Sequence, residues 1–239
     1  MDWQDHGVIL SARKHGETSV IIDAFSEGHG RHAGVVRGGI SRKMAPTLQP
    51  GNQVTLDWRA RLEEHLGSYR IELVQSRGVL LSDRGGLSAL ASIASLLGYA
   101  LPERMPMPVI YSETIALLDR LSAPGWEAAY ALWELMLLEE LGYGLDLSCC
   151  AATGTSEDLI YISPRSGRAV SRSGGADYAD RLLPLPGFWQ DDVPPDVPAS
   201  LRTTGHFLHT HLAPALGPRP LPEARARLVT YLTRKGAMT

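Results

Sequence analysis

A short basic segment is the first place in this sequence where residue types and spacing could support chemistry. Between Gly28 and Leu56 there is no Asp or Glu, whereas Arg31, Arg37, Arg42 and Lys43 all fall inside the segment. Cations spaced along an acid-free stretch are suited to binding the phosphates of a nucleic acid. On charge alone, the segment is either a nucleic-acid-binding face or an ordinary solvated basic surface.

Two adjacent cysteines, Cys149 and Cys150, are the second candidate. A disulfide between neighbours is strained and closes no loop, so a secreted disulfide scaffold is not expected. Structural zinc needs four Cys or His ligands, and residues 151–187 supply neither type. The sequence therefore predicts buried free thiols and no metal.

Three histidines, His206, His209 and His211, are the third candidate. Two of them at i and i+3 could share a helix face and hold a metal with a distant carboxylate, but no His-Glu-x-x-His pattern accompanies them. Surface or capping histidines are the favoured interpretation, and a metal-dependent hydrolase stays as an alternative. Nucleophile-elbow and phosphate-loop motifs are absent from the sequence, which favours a non-enzyme without cofactors.

The elements that would position the basic segment are short strands. Alternating apolar residues and Gly-rich turns predict five strands within the first 77 residues. In the second of these, Val20, Ile22 and Ala24 share one face, and in the third Ala33 and Val35 lie on one side. Five strands with short connections predict a small closed barrel, because closure removes exposed sheet edges.

Helices follow the barrel. Apolar residues at three-to-four spacing predict helices over 86–101, 109–121 and 126–141, and again over 200–212 and 221–234. In the third helix, Trp126, Tyr130 and Trp133 are expected in the core rather than on a stacking platform. Residues 145–187 predict one or two small hairpins, and a Pro- and Asp-rich connector covers 184–198.

The net charge of −3 averages over segregated regions. Residues 83–143 carry 3 Lys or Arg against 8 Asp or Glu, whereas residues 199–239 carry 6 against 1. A polyanionic partner is therefore not excluded. No apolar run reaches the roughly 20 residues of a membrane span, and the first residues are polar and acidic, so a soluble cytoplasmic protein without membrane association is expected.

An ordered set of motifs carries a family resemblance over essentially the whole chain. The motifs are Gly7-Val8-Ile9-Leu10, His15-Gly16-Glu17-Thr18-Ser19, Gly28-His29-Gly30-Arg31, Arg37-Gly38-Gly39, Ser41-Arg42, Leu48-Gln49-Pro50-Gly51, Glu140-Leu141-Gly142-Tyr143-Gly144 and Leu221-Pro222-Glu223-Ala224-Arg225. In this set the chain resembles the RecO family of bacterial DNA repair and recombination mediators.

The resemblance implies an α+β multidomain fold: a five-stranded OB-fold β-barrel over 1–78, then an α-helical domain over 79–239. Residues 145–187 would interrupt the helical domain as a degenerate zinc-ribbon-like insert. Zinc-containing family members have two Cys-x-x-Cys pairs there. The matching positions here are Cys150 and Thr153, then Ser171 and Gly174, so one ligand of four remains.

The resemblance also implies a function in the RecF pathway. Family members bind single- and double-stranded DNA, anneal complementary strands, contact the acidic C-terminal tail of single-stranded-DNA-binding protein, and act with RecR to load RecA. Such a protein would be nucleoid-associated within the cytoplasm. A scaffold that binds only protein is a further alternative.

Carried over to this sequence, the DNA-binding positions are Arg31, Arg37, Arg42 and Lys43, with phosphate contact as their role. Four further cations are possible extensions of the same surface: Arg13, Lys14, Arg59 and Arg61. The acidic tail would need an apolar groove with a cation at its edge, for which Arg120 and Arg202 are the candidates.

Overall fold

A computed structural model describes residues 1–62, 64–190 and 193–236. The chain packs as two compact units, one of Met1–Pro124 with Pro222–Leu228 and one of Gly125–Leu221 with Val229–Thr239. Residues 191 and 192 of the predicted connector, Glu63 and the last three residues lie outside the described part.

The N-terminal part of the first unit is a closed five-stranded barrel, as predicted. Its strands are β1 (Asp2–His15), β2 (Ser19–Ser26), β3 (Gly30–Val36), β4 (Gln53–Arg59) and β5 (Ser68–Gln75). They follow the order β1-β2-β3-β5-β4, and a short parallel pairing joins β3 to β5. This five-stranded barrel is OB-like.

The first strand closes the barrel because it pairs along both of its edges. Residues 7–15 of β1 pair with β2, while residues 2–8 pair with β4. The register shifts between Ile9 and Ser11, where a β-bulge bends the strand from one neighbour toward the other. The 14-residue strand β1 is thus long enough to pair with both β2 and β4.

Apolar side chains fill the barrel, including Ile22, Leu56 and Trp58. The predicted face of β2 is confirmed, since Val20, Ile22 and Ala24 belong to this core. In β3, however, the buried positions include His32, Gly34 and Val36, whereas Ala33 and Val35 are only half-buried. Gly34 is required there, because a Cβ at this position would lie 2.5 Å from the Tyr69 ring.

Two helices complete the first unit together with the start of a third. They are α1 (Arg84–Ala100) and α2 (Pro108–Arg120), preceded by a 3-10 turn over Gly78–Ser82. Asp83 caps α1 by accepting hydrogen bonds from the backbone N–H groups of Gly85 and Gly86. Leu90 of α1 packs against Gly51, so the helix lies on the loop between β3 and β4.

The second unit is mainly helical. Its elements are α3 (Trp126–Leu138), β6 (Leu159–Ile162), β7 (Ala169–Ser171), β8 (Leu183–Pro184), α4 (Val197–Phe207), α5 (Ala213–Ala215) and the end of α6 (Glu223–Gly236). Trp126, Tyr130 and Trp133 are buried, which confirms them as core residues. Two helices predicted as continuous end in π-helical turns, at Glu139–Tyr143 and Leu208–Leu212.

Residues 145–187 form a small three-stranded sheet in the order β7-β6-β8, with β6 and β7 as the predicted hairpin. The four positions matched to zinc ligands converge there. A Cβ at Gly174 would lie 2.9 Å from Cys150 Sγ, 3.0 Å from Ser171 Oγ and 3.3 Å from Thr153 Cγ2. The fold of the insert thus brings these positions together around one sulfur atom.

Only one of these four positions carries a thiol, so the donor set does not fit tetrahedral zinc. Ser171 instead donates two hydrogen bonds to Cys150 Sγ, from its backbone N at 3.2 Å and its hydroxyl at 3.3 Å. Burial is the largest influence on the pKa of Cys150 and raises it, but hydrogen bonds from Ser171 and Thr153 outweigh burial and lower the pKa to about 6. The prediction of two buried free thiols holds for Cys150 and is wrong for Cys149, which is partly exposed.

Candidate nucleic-acid interface

An open groove of about 770 Å³ lies on the outside of the barrel, where the end of β3, the loop after it, β4 and β5 meet. We call it the basic groove. Its charged lining residues are the cations Arg37, Lys43, Arg59 and Arg70 and the carboxylates Asp57 and Glu72. The excess of cations makes the groove attractive to phosphate groups.

The cations of the basic groove differ in how far their charge is already neutralised. Arg59 lies 3.3 Å from Asp57, and Arg70 lies 3.9 Å from Glu72. Arg37 and Lys43 are exposed and form no ion pair with any residue that the structure describes. The uncompensated charge of the groove therefore comes from Arg37 and Lys43.

The loop that carries Lys43 is anchored rather than free. Gly39 packs on Val20 and Leu48, where a Cβ would approach Val20 to 2.8 Å. Backbone N–H groups of Met44 and Ala45 donate to Ser41 O at 3.0 and 2.9 Å, and Leu48 is buried in the barrel core. This anchoring presents Arg42 and Lys43 on a tight turn at the surface.

Arg31 is placed differently from the other cations of its segment. Its Nη1 donates to Asp23 Oδ2 at 2.9 Å and to the carbonyl of Gly98 at 3.0 Å, and its Nη2 lies 3.4 Å from Glu103 Oε1. Burial is the main influence on the pKa of Asp23, which is raised despite the Arg31 charge. Arg31 thus joins β3 to β2, to α1 and to the segment after α1.

The remaining predicted cations lie at the barrel surface. Arg13 and Lys14 are exposed near the end of β1, and Arg42 and Arg61 are exposed in the loops after β3 and β4. None of these four lines the basic groove, whereas Arg59 does. Arg70 was missed; its alternation with buried Tyr69 and Ile71 on one strand could have identified it.

A second open cavity, of about 640 Å³, has an aromatic lining and is called here the aromatic cavity. Its lining residues are Met1, Asp2, Trp3, Gly28, His29, His32, Trp58, Arg104 and Pro106. Trp3 and His29 are stacked, with ring centroids 4.0 Å apart and planes 7° from parallel. Trp58 lies 5.6 Å from Trp3, because the two residues are paired across β1 and β4.

A half-buried carboxylate, that of Asp5, fixes the His29 ring. Asp5 Oδ2 lies 2.9 Å from His29 Nδ1 and accepts the Gly28 N–H at 2.8 Å, while Asp5 Oδ1 accepts the His6 N–H at 2.7 Å. Burial opposes the charge of Asp5, but these hydrogen bonds outweigh it and lower the pKa. Burial and then the Arg104 charge lower the pKa of His32, which favours a neutral ring inside the barrel.

A third cavity, also about 640 Å³, is mostly apolar and is called here the apolar groove. Its wall contains Leu81 and Leu87, both exposed, together with Arg77 and Arg227. Arg77 is buried and bonded to Asp119, while its Nε and Nη2 atoms have no hydrogen-bond partner among the described residues. Arg227 is exposed and lies 3.2 Å from Glu223.

The two predicted tail-binding cations lie elsewhere. Arg120 is exposed at the end of α2 and Arg202 is exposed on α4, and neither lines the apolar groove. Sequence reasoning missed Arg77 and Arg227, since nothing in their local pattern indicates a shared cavity.

The three histidines form one half-buried pair, His206 with His211, and one exposed residue. The π-helical turn places His206 and His211 together, and their Nε2 atoms lie 3.0 and 3.2 Å from the same carbonyl, that of Pro164. His209 is exposed. Among the described residues, no three His, Cys, Asp or Glu side chains converge as metal ligands.

Within the described ranges, no helix is both long and apolar enough to cross a membrane.

Comparison with known proteins matches both halves of the chain to one family. The model described as Recombination protein O N terminal matches residues 1–77, and the one described as Recombination protein O C terminal matches residues 81–220. A DNA repair protein RecO from Ruegeria sp. (strain TM1040) is 54% identical over 242 residues, covering 98% of this chain and 100% of the relative. The RecO protein of Jannaschia sp. (strain CCS1) is 52% identical over 238 residues, covering 98% of each.

Proposed function

The chain belongs to the RecO family, and from that premise we propose that it is a non-enzymatic DNA repair and recombination mediator which holds DNA strands in the basic groove. The observation that carries the proposal is the pair of unneutralised cations, Arg37 directly after β3 and Lys43 on the anchored turn, beside a groove of about 770 Å³. Phosphate contacts of this kind position a strand without reading its sequence. Arg42 extends the same turn, and Arg13, Lys14 and Arg61 offer further exposed charge.

Strand annealing follows from charge neutralisation. When cations cover the phosphates of two complementary strands, pairing no longer works against their repulsion. No covalent step is needed, so no catalytic residue is assigned. Bound to DNA in this way, the protein would be found with the nucleoid, and cooperation with RecR in loading RecA is the family role that we extend to it.

The test of DNA binding is a salt series with a fluorescently labelled single strand, read by anisotropy. The wild type should lose affinity steeply as salt rises, and the slope should become shallower by roughly 0.7 for each phosphate contact removed in Arg37→Ala and Lys43→Ala. Arg165→Ala, which removes an exposed arginine of the second unit, is the matched control and should leave the slope unchanged. Absence of binding at low salt would refute the proposal.

The apolar groove is our candidate site for the acidic tail of single-stranded-DNA-binding protein. Exposed leucines can cover the apolar end of such a tail, and Arg227 at the edge can pair with its carboxylates. A labelled peptide with aspartates before an apolar C-terminus should bind the wild type and bind Arg227→Ala more weakly. Arg120→Ala and Arg202→Ala are the matched controls, and a loss of binding in either one instead would move the site away from this groove.

The insert is proposed to keep its shape without zinc. The hydrogen bonds from Ser171 to Cys150 occupy the place where ligands would converge. Elemental measurement of the purified protein should find no stoichiometric zinc, whereas the triple substitution Thr153→Cys, Ser171→Cys and Gly174→Cys should create a four-thiol site that binds one equivalent. Stoichiometric zinc in the wild type would contradict this account.

A further inference from the structure

The imidazole ring of His29 has one covered face and one exposed face. One face of its imidazole is covered by Trp3 at 4.0 Å, yet 37% of the side chain is exposed. The accessible part is therefore the opposite face and the ring edge, within the aromatic cavity. Asp5 holds the ring in this orientation through Nδ1, so the flat surface exists before any ligand arrives.

The backbone of Arg104, a residue that lines the same cavity, is strained. Arg104 has a φ of 61°, an uncommon value for a residue with a side chain. Its backbone N–H donates to Arg31 O at 2.8 Å and its Nη2 donates to His65 O at 3.1 Å. Strain that surrounding contacts maintain is concentrated at functional sites.

The segment around Arg104 packs tightly against the barrel. Gly30 has a φ of 67°, and a Cβ there would lie 2.0 Å from the Met105 carbonyl oxygen. Only glycine permits this approach, which sets the cavity wall formed by Arg104 and Pro106 against the start of β3. The cavity is thus built by tertiary contacts and not by a loose loop.

The basic groove and the aromatic cavity adjoin at the end of β4. Arg59 lines the groove, and its partner across β4 and β1, Asp2, lines the cavity, so the two side chains lie on the same face of the sheet. A strand whose phosphates follow the groove would bring a base to the cavity. A volume of about 640 Å³ is within the range of small-ligand sites, which suits one nucleotide.

Resting on the proposed function, we propose that the aromatic cavity takes one unpaired base of a single-stranded DNA bound in the basic groove. The base stacks on the open face of His29 and extends the Trp3–His29 stack, while Arg104 faces the phosphate that flanks it. Stacking of this kind is tolerant of sequence, because every base has a flat aromatic face.

The experiment compares an oligothymidylate of about 12 nucleotides with an abasic strand of the same length, which has the phosphates but no bases. The wild type should bind the thymidylate strand about tenfold more tightly. His29→Ala should abolish this preference, and His29→Phe should retain it because the flat face is restored. Arg37→Ala should weaken both strands and keep the preference.

Cross-linking supplies a test that needs no variant. A strand carrying 5-iodouracil, irradiated on the wild-type protein, should attach to His29 or Trp3, as identified by mass spectrometry of the peptides. Attachment confined to other residues would overturn the proposal.

The outcomes separate the two proposals. Equal binding of both strands by the wild type, or a full preference in a folded His29→Ala variant, overturns the base site and leaves phosphate binding in the groove standing. If the wild type binds thymidine monophosphate in the cavity but shows no preference between the two strands, the base site is also overturned, in favour of a small-molecule site. Failure of the wild type to bind either strand refutes the proposed function and the base site together.

Discussion

Strand β4 contributes Arg59 to the basic groove and Trp58 to the aromatic cavity, yet the two regions are organised in opposite ways. In the groove, Arg37 and Lys43 have no described ion-pair partner, and the nearby surface is open. In the cavity, the charged Asp5 is held by three hydrogen bonds and the rings pack on one another. The groove keeps free charge for a ligand, whereas the cavity has a rigid surface already formed.

This difference implies that substitutions in the two regions should have different consequences. Exposed cations contribute little to folding, so their removal should affect binding and salt dependence. Buried rings and hydrogen-bonded carboxylates hold the barrel together, so their removal should affect stability first.

The largest expected effect is that of Trp58→Ala. Trp58 is 1% exposed, and its Nε1 donates to Leu66 O at 3.1 Å. Its removal should lower the free energy of unfolding by about 4 kcal/mol, because it leaves a cavity in the core. Arg59→Ala, one residue further on, should change it by no more than about 0.5 kcal/mol. Urea denaturation measures both free energies of unfolding. Equal losses in the two variants would contradict the difference drawn between the aromatic cavity and the basic groove.

An intermediate effect is expected for Asp5→Asn. The side-chain NH2 of the asparagine would face an N–H donor that the carboxylate of Asp5 now accepts from. The variant should therefore lose about 2 kcal/mol of unfolding free energy at neutral pH. Because folding lowers the pKa of Asp5, its stabilisation is complete above the unfolded value near 3.8 and is lost as the pH falls through the folded value. Denaturation at neutral and acidic pH should therefore show the difference narrowing in acid. A constant difference would mean that the carboxylate charge is not what holds His29.

The smallest effect concerns His32. Its pKa is lowered in the folded state, so the unfolded chain binds the proton more readily and stability is lost as the pH falls below the usual value of 6.5. The loss is at most about 1.4 kcal/mol per pH unit. Thermal melts between pH 7 and 5 should show a steeper decline for the wild type than for His32→Gln. If the stability of the two proteins declines in parallel, protonation of His32 does not cause the loss of stability in acid.

Sequence patterns predicted the barrel because alternation is a local property. They did not predict the inward side of β3, where the apolar Ala33 and Val35 indicated one face and the structure buries His32 and Gly34. The reason is tertiary: the Tyr69 ring needs the space that only glycine leaves, and His32 packs among Trp3, Trp58 and Tyr69.

The candidate site, like the fold, was predictable only where the signal is local in the sequence. The acid-free segment indicated Arg37 and Lys43, which line the basic groove, since charge composition can be read locally. It could not separate them from Arg31, whose partners Gly98 and Glu103 are distant in sequence. Nor could it pair Trp3 with Trp58, because strand register decides that contact.

Phosphate binding by Arg37 and Lys43 is tested by the salt dependence of strand binding, measured for the wild type and for the double variant Arg37→Ala/Lys43→Ala. We expect parallel salt slopes for the thymidylate and abasic strands, and a double-variant slope shallower by roughly 1.4 for both. A double variant that binds with the wild-type slope would contradict the claim that these two cations hold the phosphates.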